Sequence, residues 1–177
     1  MELTNRETWA ALHGMVLGAL FLLAFAGGIA ELWSMRPDWS TGRGLQQRLI
    51  RLKVGVTTMA IVAWATVITG TYIVYPWYRA PAPEGTTDLS DYPRSFLLAT
   101  QGQEEWHRFG MEWKEHIAWV SPILATAVAF IVLYYASQLS TDRRLRLLTL
   151  GLFVGAFAAA GIAGLLGAFI TKAAPVR

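Results

Sequence analysis

The sequence predicts an all-α integral membrane protein, a four-helix bundle of up-down-up-down topology with both termini outside. Of its 177 residues, 54% are hydrophobic and 15% are charged. Charged residues make up about 25% of a soluble domain, so a soluble fold is not expected. Four apolar runs also approach the ~20 residues that a helix needs to span a bilayer. A single transmembrane domain covering residues 1–177 is expected at this length.

Each of the four predicted spans is a predominantly apolar run. They cover about residues 9–30, 54–75, 117–135 and 147–170. Because backbone polar groups in lipid must be satisfied within the segment, each run is predicted to be an α-helix. A long loop of residues 79–115 joins the second span to the third, and short loops make the other two connections.

Basic residues are distributed unevenly, and this predicts the orientation by the positive-inside rule. The long loop has four basic and seven acidic residues, so it is expected outside together with both termini. Glu31, at the inner end of the first span, is expected to reach the interface or to pair with the basic loop. We expect a multi-pass protein of a bacterial inner (cytoplasmic) membrane, and no nucleic-acid partner. Eight basic residues lie in or beside the two short loops: Arg36, Arg43, Arg48, Arg51, Lys53, Arg143, Arg144 and Arg146.

The three histidines are the main candidates for chemistry, because the chain has no cysteine to hold a metal or to attach haem covalently. His13 lies four residues after Trp9, and His116 lies three residues after Trp113. Both tryptophans belong to the predicted outer aromatic belt, so the two imidazoles have nearly the same predicted depth on different helices. The sequence therefore predicts one haem b near the outer face, with His13 and His116 as axial ligands.

Glycines near these positions are predicted to leave room for a flat cofactor. Gly14 adjoins His13, and the fourth span contains Gly161 and Gly164 in a run of small residues. Small residues also let helix backbones approach closely, so tight helix packing is an interpretation of the same pattern. The two interpretations are compatible.

An outer-face copper or zinc site is the alternative use of the histidines. His107, Met111 and Glu112 precede His116 on one segment and provide donors that, with His13, suit these metals. His107 is nine residues before His116. It is therefore half-way round a helix from His116 and further out, and it is not expected to bind the same iron.

The number of spans and the pair His13 and His116 resemble small four-helix membrane proteins of the cytochrome b type, such as the haem-anchoring subunits of quinone-linked dehydrogenases. The resemblance implies electron transfer through haem b. It also implies that quinone and a periplasmic cytochrome or other respiratory subunits are partners. The chain departs from multi-haem members because its predicted inner half has no histidine, so one haem is expected. The segments "LHGMVLGALF", "TGTYIVYPWYRA" and "GMEWKEHIAW" resemble a bacterial membrane-protein family.

Two roles in a respiratory complex are open for this chain. The chain is either the membrane subunit of an oxidoreductase complex or a non-enzymatic accessory or assembly subunit of a respiratory complex. The accessory role is supported by Gly151 and Gly155, a GxxxG pair that can bind a partner helix. Either role predicts an oligomer or a complex subunit.

Overall fold

The computed structural model describes residues 3–35 and 42–175 of the chain, and every regular element in that part is helical. Four helices are long and apolar enough to cross a membrane, which confirms the predicted all-α membrane fold class. A short helix lies between the second and third of these. The labels used below are α1 (Asn5–Ser34), α2 (Gly44–Arg79), α3 (Pro93–Ala99), α4 (Trp106–Tyr135) and α5 (Arg143–Ala173).

The four long helices contain the predicted spans and extend beyond most of their ends. The largest difference is at α4, which begins at Trp106, whereas the predicted span begins at residue 117. Apolar runs identify the part of a helix that suits lipid, but a helix continues through polar residues as long as its backbone hydrogen bonds continue. Much of the predicted outer loop is therefore helical. Arg36 and the side chain of Arg43, which contribute to the predicted orientation, lie outside the described part of the chain.

The chain forms two compact units, and each unit draws residues from all four long helices. Unit 1 comprises residues 1–18, 65–119 and 161–177, and unit 2 comprises residues 19–64 and 120–160. All three histidines belong to unit 1. The candidate site is therefore built from the beginning of α1, the end of α2, the beginning of α4 and the end of α5.

An aromatic core holds unit 2 together. Phe153 of α5 is fully buried, and its ring stacks on Phe25 of α1 with centroids 5.0 Å apart. Phe157 stacks on the same ring at 4.1 Å. Gly28 makes room for this arrangement, because a Cβ atom at that position would lie 2.6 Å from Cζ of Phe153.

Polar contacts fix the edges of unit 2. Glu31 pairs with Arg51 at 2.9 Å, so of the two roles expected for Glu31 the structure shows the pairing with the basic loop. Arg48 donates to the backbone and side-chain oxygens of Ser34 at the end of α1. These contacts connect α1 to the beginning of α2, where the sequence places its basic cluster.

In unit 1 the segment between α2 and α4 folds back onto the long helices. Leu97 of α3 is fully buried in a core cluster with Tyr78, Met111, Ile170 and Ala174. These partners come from the end of α2, the beginning of α4 and the end of α5. The segment is thus part of the packed unit, with α3 as its anchor.

We expect Gly28→Ala to lower the free energy of unfolding by about 1–3 kcal/mol, the usual cost of overpacking a core. The new methyl group would lie 2.6 Å from Cζ of the fully buried Phe153. Thermal or denaturant unfolding in detergent measures the change. Gly27→Ala is the matched control, because its methyl group would meet nothing within 4 Å. Equal destabilisation by both variants would contradict the prediction.

Candidate functional site

Three π-helical turns occur in unit 1, one in each of the helices α1, α2 and α4. They cover Leu12–Val16, Gly70–Val74 and Trp106–Met111. Turns of this kind are rare and are frequently found at functional sites. The first contains His13 and the third contains His107. The second is in contact with His13 through Gly70, so each of the three turns contains or contacts a histidine.

The imidazole of His13 lies directly against the backbone of α2 at Gly70. A Cβ atom on Gly70 would be 2.6 Å from Cε1 of the ring and 3.1 Å from Nε2. Nδ1 of His13 lies 3.3 Å from Oγ1 of Thr69. The ring is therefore held between a glycine and a hydroxyl group of the same neighbouring helix.

The hydrogen bonds of Thr69 fix the tautomer of His13. The Thr69 hydroxyl donates its single proton to backbone carbonyls of the preceding turn, that of Ala65 at 2.7 Å and that of Thr66 at 3.1 Å. Its oxygen can therefore only accept from His13, so Nδ1 carries the proton. Nε2 then carries the lone pair. The backbone of Thr66 is a further hydrogen-bond partner of the ring.

His107 has a different environment, because both of its nitrogens are engaged. Its side chain is buried, with 7% of its surface exposed. Arg94 of α3 donates from Nε to Nε2 at 3.3 Å, and Nδ1 lies 2.9 Å from the hydroxyl of Tyr78. A guanidinium can only donate, so Nε2 is unprotonated and Nδ1 donates to Tyr78. The imidazole therefore has no lone pair left for a metal in this arrangement.

A second polar cluster, formed by Tyr75, Arg79 and Glu115, lies beside the cluster of His107, Arg94 and Tyr78. Arg79 donates to the hydroxyl of Tyr75 at 2.9 Å, and its guanidinium lies 5.4 Å from the centre of that ring. Tyr75 stacks on Tyr78 with centroids 6.3 Å apart. The carboxylate of Glu115 lies close to Tyr75, and its Oε1 is buried without a hydrogen-bond partner in the described part of the chain.

His116 lies on the exposed side of α4. Its Nδ1 is 2.6 Å from the carbonyl oxygen of Glu112, one helical turn earlier. A carbonyl can only accept, so Nδ1 is the donor and the lone pair of Nε2 is free, as in His13.

Lys114 of α4 packs against α5, with Cε 3.2 Å from the position of a Cβ atom on Gly167. Its charge interacts with His13. His116 follows two residues later and therefore points about 200° away around the helix. The structure does not bring His13 and His116 together by any described contact, so their joint ligation of a haem stays a prediction.

The three glycines predicted to line a cofactor all have free space beside them. A Cβ atom on Gly14, Gly161 or Gly164 would meet nothing within 4 Å. Tight helix packing therefore does not explain these three positions in the structure. It does explain Gly155 and Gly167, where a Cβ atom would contact Leu124 and Lys114 at 3.2 Å.

The alternative copper or zinc site receives no support. Within residues 3–35 and 42–175 there is no group of three or more histidine, aspartate or glutamate side chains that could hold a metal ion. Met111 is buried in the core cluster around Leu97. Glu112 is exposed, and its carbonyl is occupied by His116.

Sequence reasoning missed the polar partners Tyr78, Arg94 and Lys114. Arg94 lies 13 residues before its partner His107, and Tyr78 lies 29 residues before it. No local spacing connects these residues, since they meet only when α3 folds back. Lys114 carries no functional signal either, because lysines near the ends of membrane spans commonly extend to the interface.

Comparison of the chain with protein-family models, with curated proteins and with solved structures finds no match.

We expect Tyr78→Phe to destabilise unit 1 by about 1–3 kcal/mol, the cost of leaving a buried donor without a partner. The lost hydroxyl is the acceptor for Nδ1 of the buried His107. Thermal unfolding in detergent measures the loss. Tyr72→Phe is the control, because Tyr72 is 69% exposed. If the two variants unfold at the same temperature, the His107 hydrogen bond does not stabilise the unit.

Proposed function

We propose that the chain is a membrane-integral electron-transfer protein that binds one haem b near the outer face, with His13 and His116 as axial ligands. The observation that carries this proposal is the shared hydrogen bonding of the two imidazoles. Each donates from Nδ1 to an oxygen of the chain and leaves Nε2 free. Metal-ligating histidines almost always have such a partner, which fixes the ring and the tautomer.

His107 differs from His13 and His116, and the difference supports the proposal that these two are the ligands. Both of its nitrogens are used within the chain, by Arg94 and Tyr78. Of the three histidines, only His13 and His116 thus offer a free nitrogen to iron. The free space at Gly14, Gly161 and Gly164 suits a flat ring system, because a porphyrin needs a surface without bulky side chains.

The positions of the two histidines restrict how they can share an iron. His13 packs against α2, whereas His116 is exposed on α4. A haem bound by both requires either that α4 turn to bring His116 round, or that a second copy of the chain supply His116. The second arrangement would make the protein an oligomer, in agreement with the expectation of an oligomer or a complex subunit.

When bound, haem b supplies reversible one-electron transfer. The chain would hold the iron through Nε2 of His13 and His116, with Thr69 and the Glu112 carbonyl orienting the rings. Quinone is the proposed partner on the lipid side, and a periplasmic cytochrome or another respiratory subunit is the proposed partner outside. The distribution of basic residues supports a bacterial inner membrane, an up-down-up-down topology and both termini outside.

An accessory or assembly subunit of a respiratory complex is the second candidate. It is supported by Gly151 of α5, which is exposed and has nothing within 4 Å of a Cβ position. A partner helix could pack closely at this point. This role does not require a haem, so the absorption spectrum distinguishes it from the first.

A reduced-minus-oxidised visible spectrum of the detergent-purified protein tests the haem. We expect a b-type signal in the wild type and its loss in His13→Ala and His116→Ala, because each variant removes an axial ligand. His107→Gln is the control and should retain the signal. A colourless wild type expressed with ample haem would rule out the cytochrome, whereas loss in His13→Ala alone would rule out His116 as a ligand.

Co-expression of differently tagged His13→Ala and His116→Ala chains tests which chain supplies each ligand. If two copies share the haem, mixed oligomers regain part of the b-type signal, since one shared site keeps both histidines. If one chain supplies both ligands, the mixture remains colourless.

A further inference from the structure

The short helix α3 is joined to the long helices by a polar contact and an apolar one. Arg94, in its first turn, donates from Nε to Nε2 of His107 at 3.3 Å. Leu97, one turn later, is fully buried in the core cluster with Tyr78, Met111 and Ile170. The helix has only seven residues, and a helix of that length is not stable in water by itself. Its structure therefore depends on these contacts.

The polar contact requires a neutral His107. Arg94 can only donate, so Nε2 of His107 accepts, and the proton on Nδ1 is directed at the hydroxyl of Tyr78, 2.9 Å away. A second proton on the ring has to enter at Nε2, the atom that accepts from Arg94. Two cationic donors would then face each other across the 3.3 Å contact, and the hydrogen bond would be lost.

The surroundings of His107 offer the protonated ring no replacement for this bond. The side chain is 7% exposed, so water does not solvate it while α3 is in place. The core cluster receives only apolar side chains from α5, Ile170 and Ala174. In the described part of the chain no hydrogen bond or ion pair joins a carboxylate to the ring. The titratable and charged groups that act on His107 come from α2, α3 and α4 and are Tyr78, Arg79, Arg94, Glu112 and Glu115.

We propose that α3 is a pH-dependent lid on the end of unit 1, closed while His107 is neutral and released when His107 takes up a proton. Release uncovers the face of Tyr78, Met111 and Ile170 on which Leu97 packs. The sign follows from proton binding. The open form binds a proton that the closed form excludes, so opening becomes more favourable as the pH falls below about 6.5, where a solvated imidazole begins to titrate. His107 is not a proposed haem ligand, so this inference does not depend on the haem.

Hydrogen–deuterium exchange of the full chain in detergent, measured by mass spectrometry between about pH 8 and pH 5, tests the lid. Peptides that contain Pro93–Ala99 report its opening, because the amides of Phe96 and Thr100 donate to carbonyls of this segment. After correction for the intrinsic exchange rate, we expect the protection of these amides to fall by up to about tenfold per pH unit below about 6.5, the effect of one proton taken up on opening. Peptides from residues 143–160, which belong to unit 2, should keep their protection.

Two variants separate the lid from other effects of acid. His107→Gln does not titrate, and its amide can accept from Arg94 and donate to Tyr78, so α3 should stay protected at every pH. Arg94→Met removes the donor, so α3 should exchange about tenfold faster than in the wild type even at neutral pH, the effect of losing one charged hydrogen bond. Arg108→Met is the matched control, because Arg108 is exposed on α4, and it should follow the wild type.

The results that contradict the lid are distinct from those that support it. Protection of α3 that does not change with pH in the wild type overturns the proposal. An equal change in His107→Gln overturns it as well, because His107 is then not the group that titrates. If acid exposes unit 2 to the same extent, the protein unfolds as a whole and α3 is not a lid. Arg94→Met provides an independent test should His107→Gln fail to fold, since full protection of its α3 at neutral pH would show that Arg94 does not hold the helix.

Discussion

The packing of this protein depends on glycines that let a large side chain reach the backbone of a neighbouring helix. Lipid is as apolar as the side chains, so helices in a membrane gain little from burying apolar surface and associate through close packing and hydrogen bonds. A glycine opposite a large side chain provides such packing, and it also fixes where that side chain lies. The pairs are Gly28 with Phe153, Gly70 with His13, Gly155 with Leu124, and Gly167 with Lys114.

Hydrogen bonding makes the three histidines differ in which ring nitrogen stays available for a ligand. His13 and His116 each lose the use of Nδ1 and keep Nε2, whereas His107 loses both nitrogens to Tyr78 and Arg94. In a low-dielectric surrounding an unpaired polar group is expensive, so these partners decide which nitrogen remains available. His107 thereby becomes a structural residue that holds α3 against the long helices. The other two remain suited to a ligand.

The three π-helical turns in the described part of unit 1 limit what helical periodicity can predict there. A π turn adds a residue to one turn of helix, so the side chains beyond it are rotated relative to a regular α-helix. One such turn immediately precedes Glu112, in the segment that leads to Lys114 and His116. Counting about 100° per residue along "HRFGMEWKEH" therefore describes depth better than it describes direction.

The sequence by itself determined the helical membrane class and the location of the four apolar spans. These features follow from the apolar content of each run, which does not depend on how the helices pack. For Glu31 the sequence left two roles open, and the packing of α1 against α2 decided for the ion pair with Arg51. Only the tertiary structure decided that α4 begins at Trp106 and that α3 folds back to bring Arg94 to His107. It also decided that the charge of Lys114 acts on His13. These contacts depend on which faces of the helices pack together. Local spacing in the sequence does not encode those faces, because glycine contacts and π turns set them.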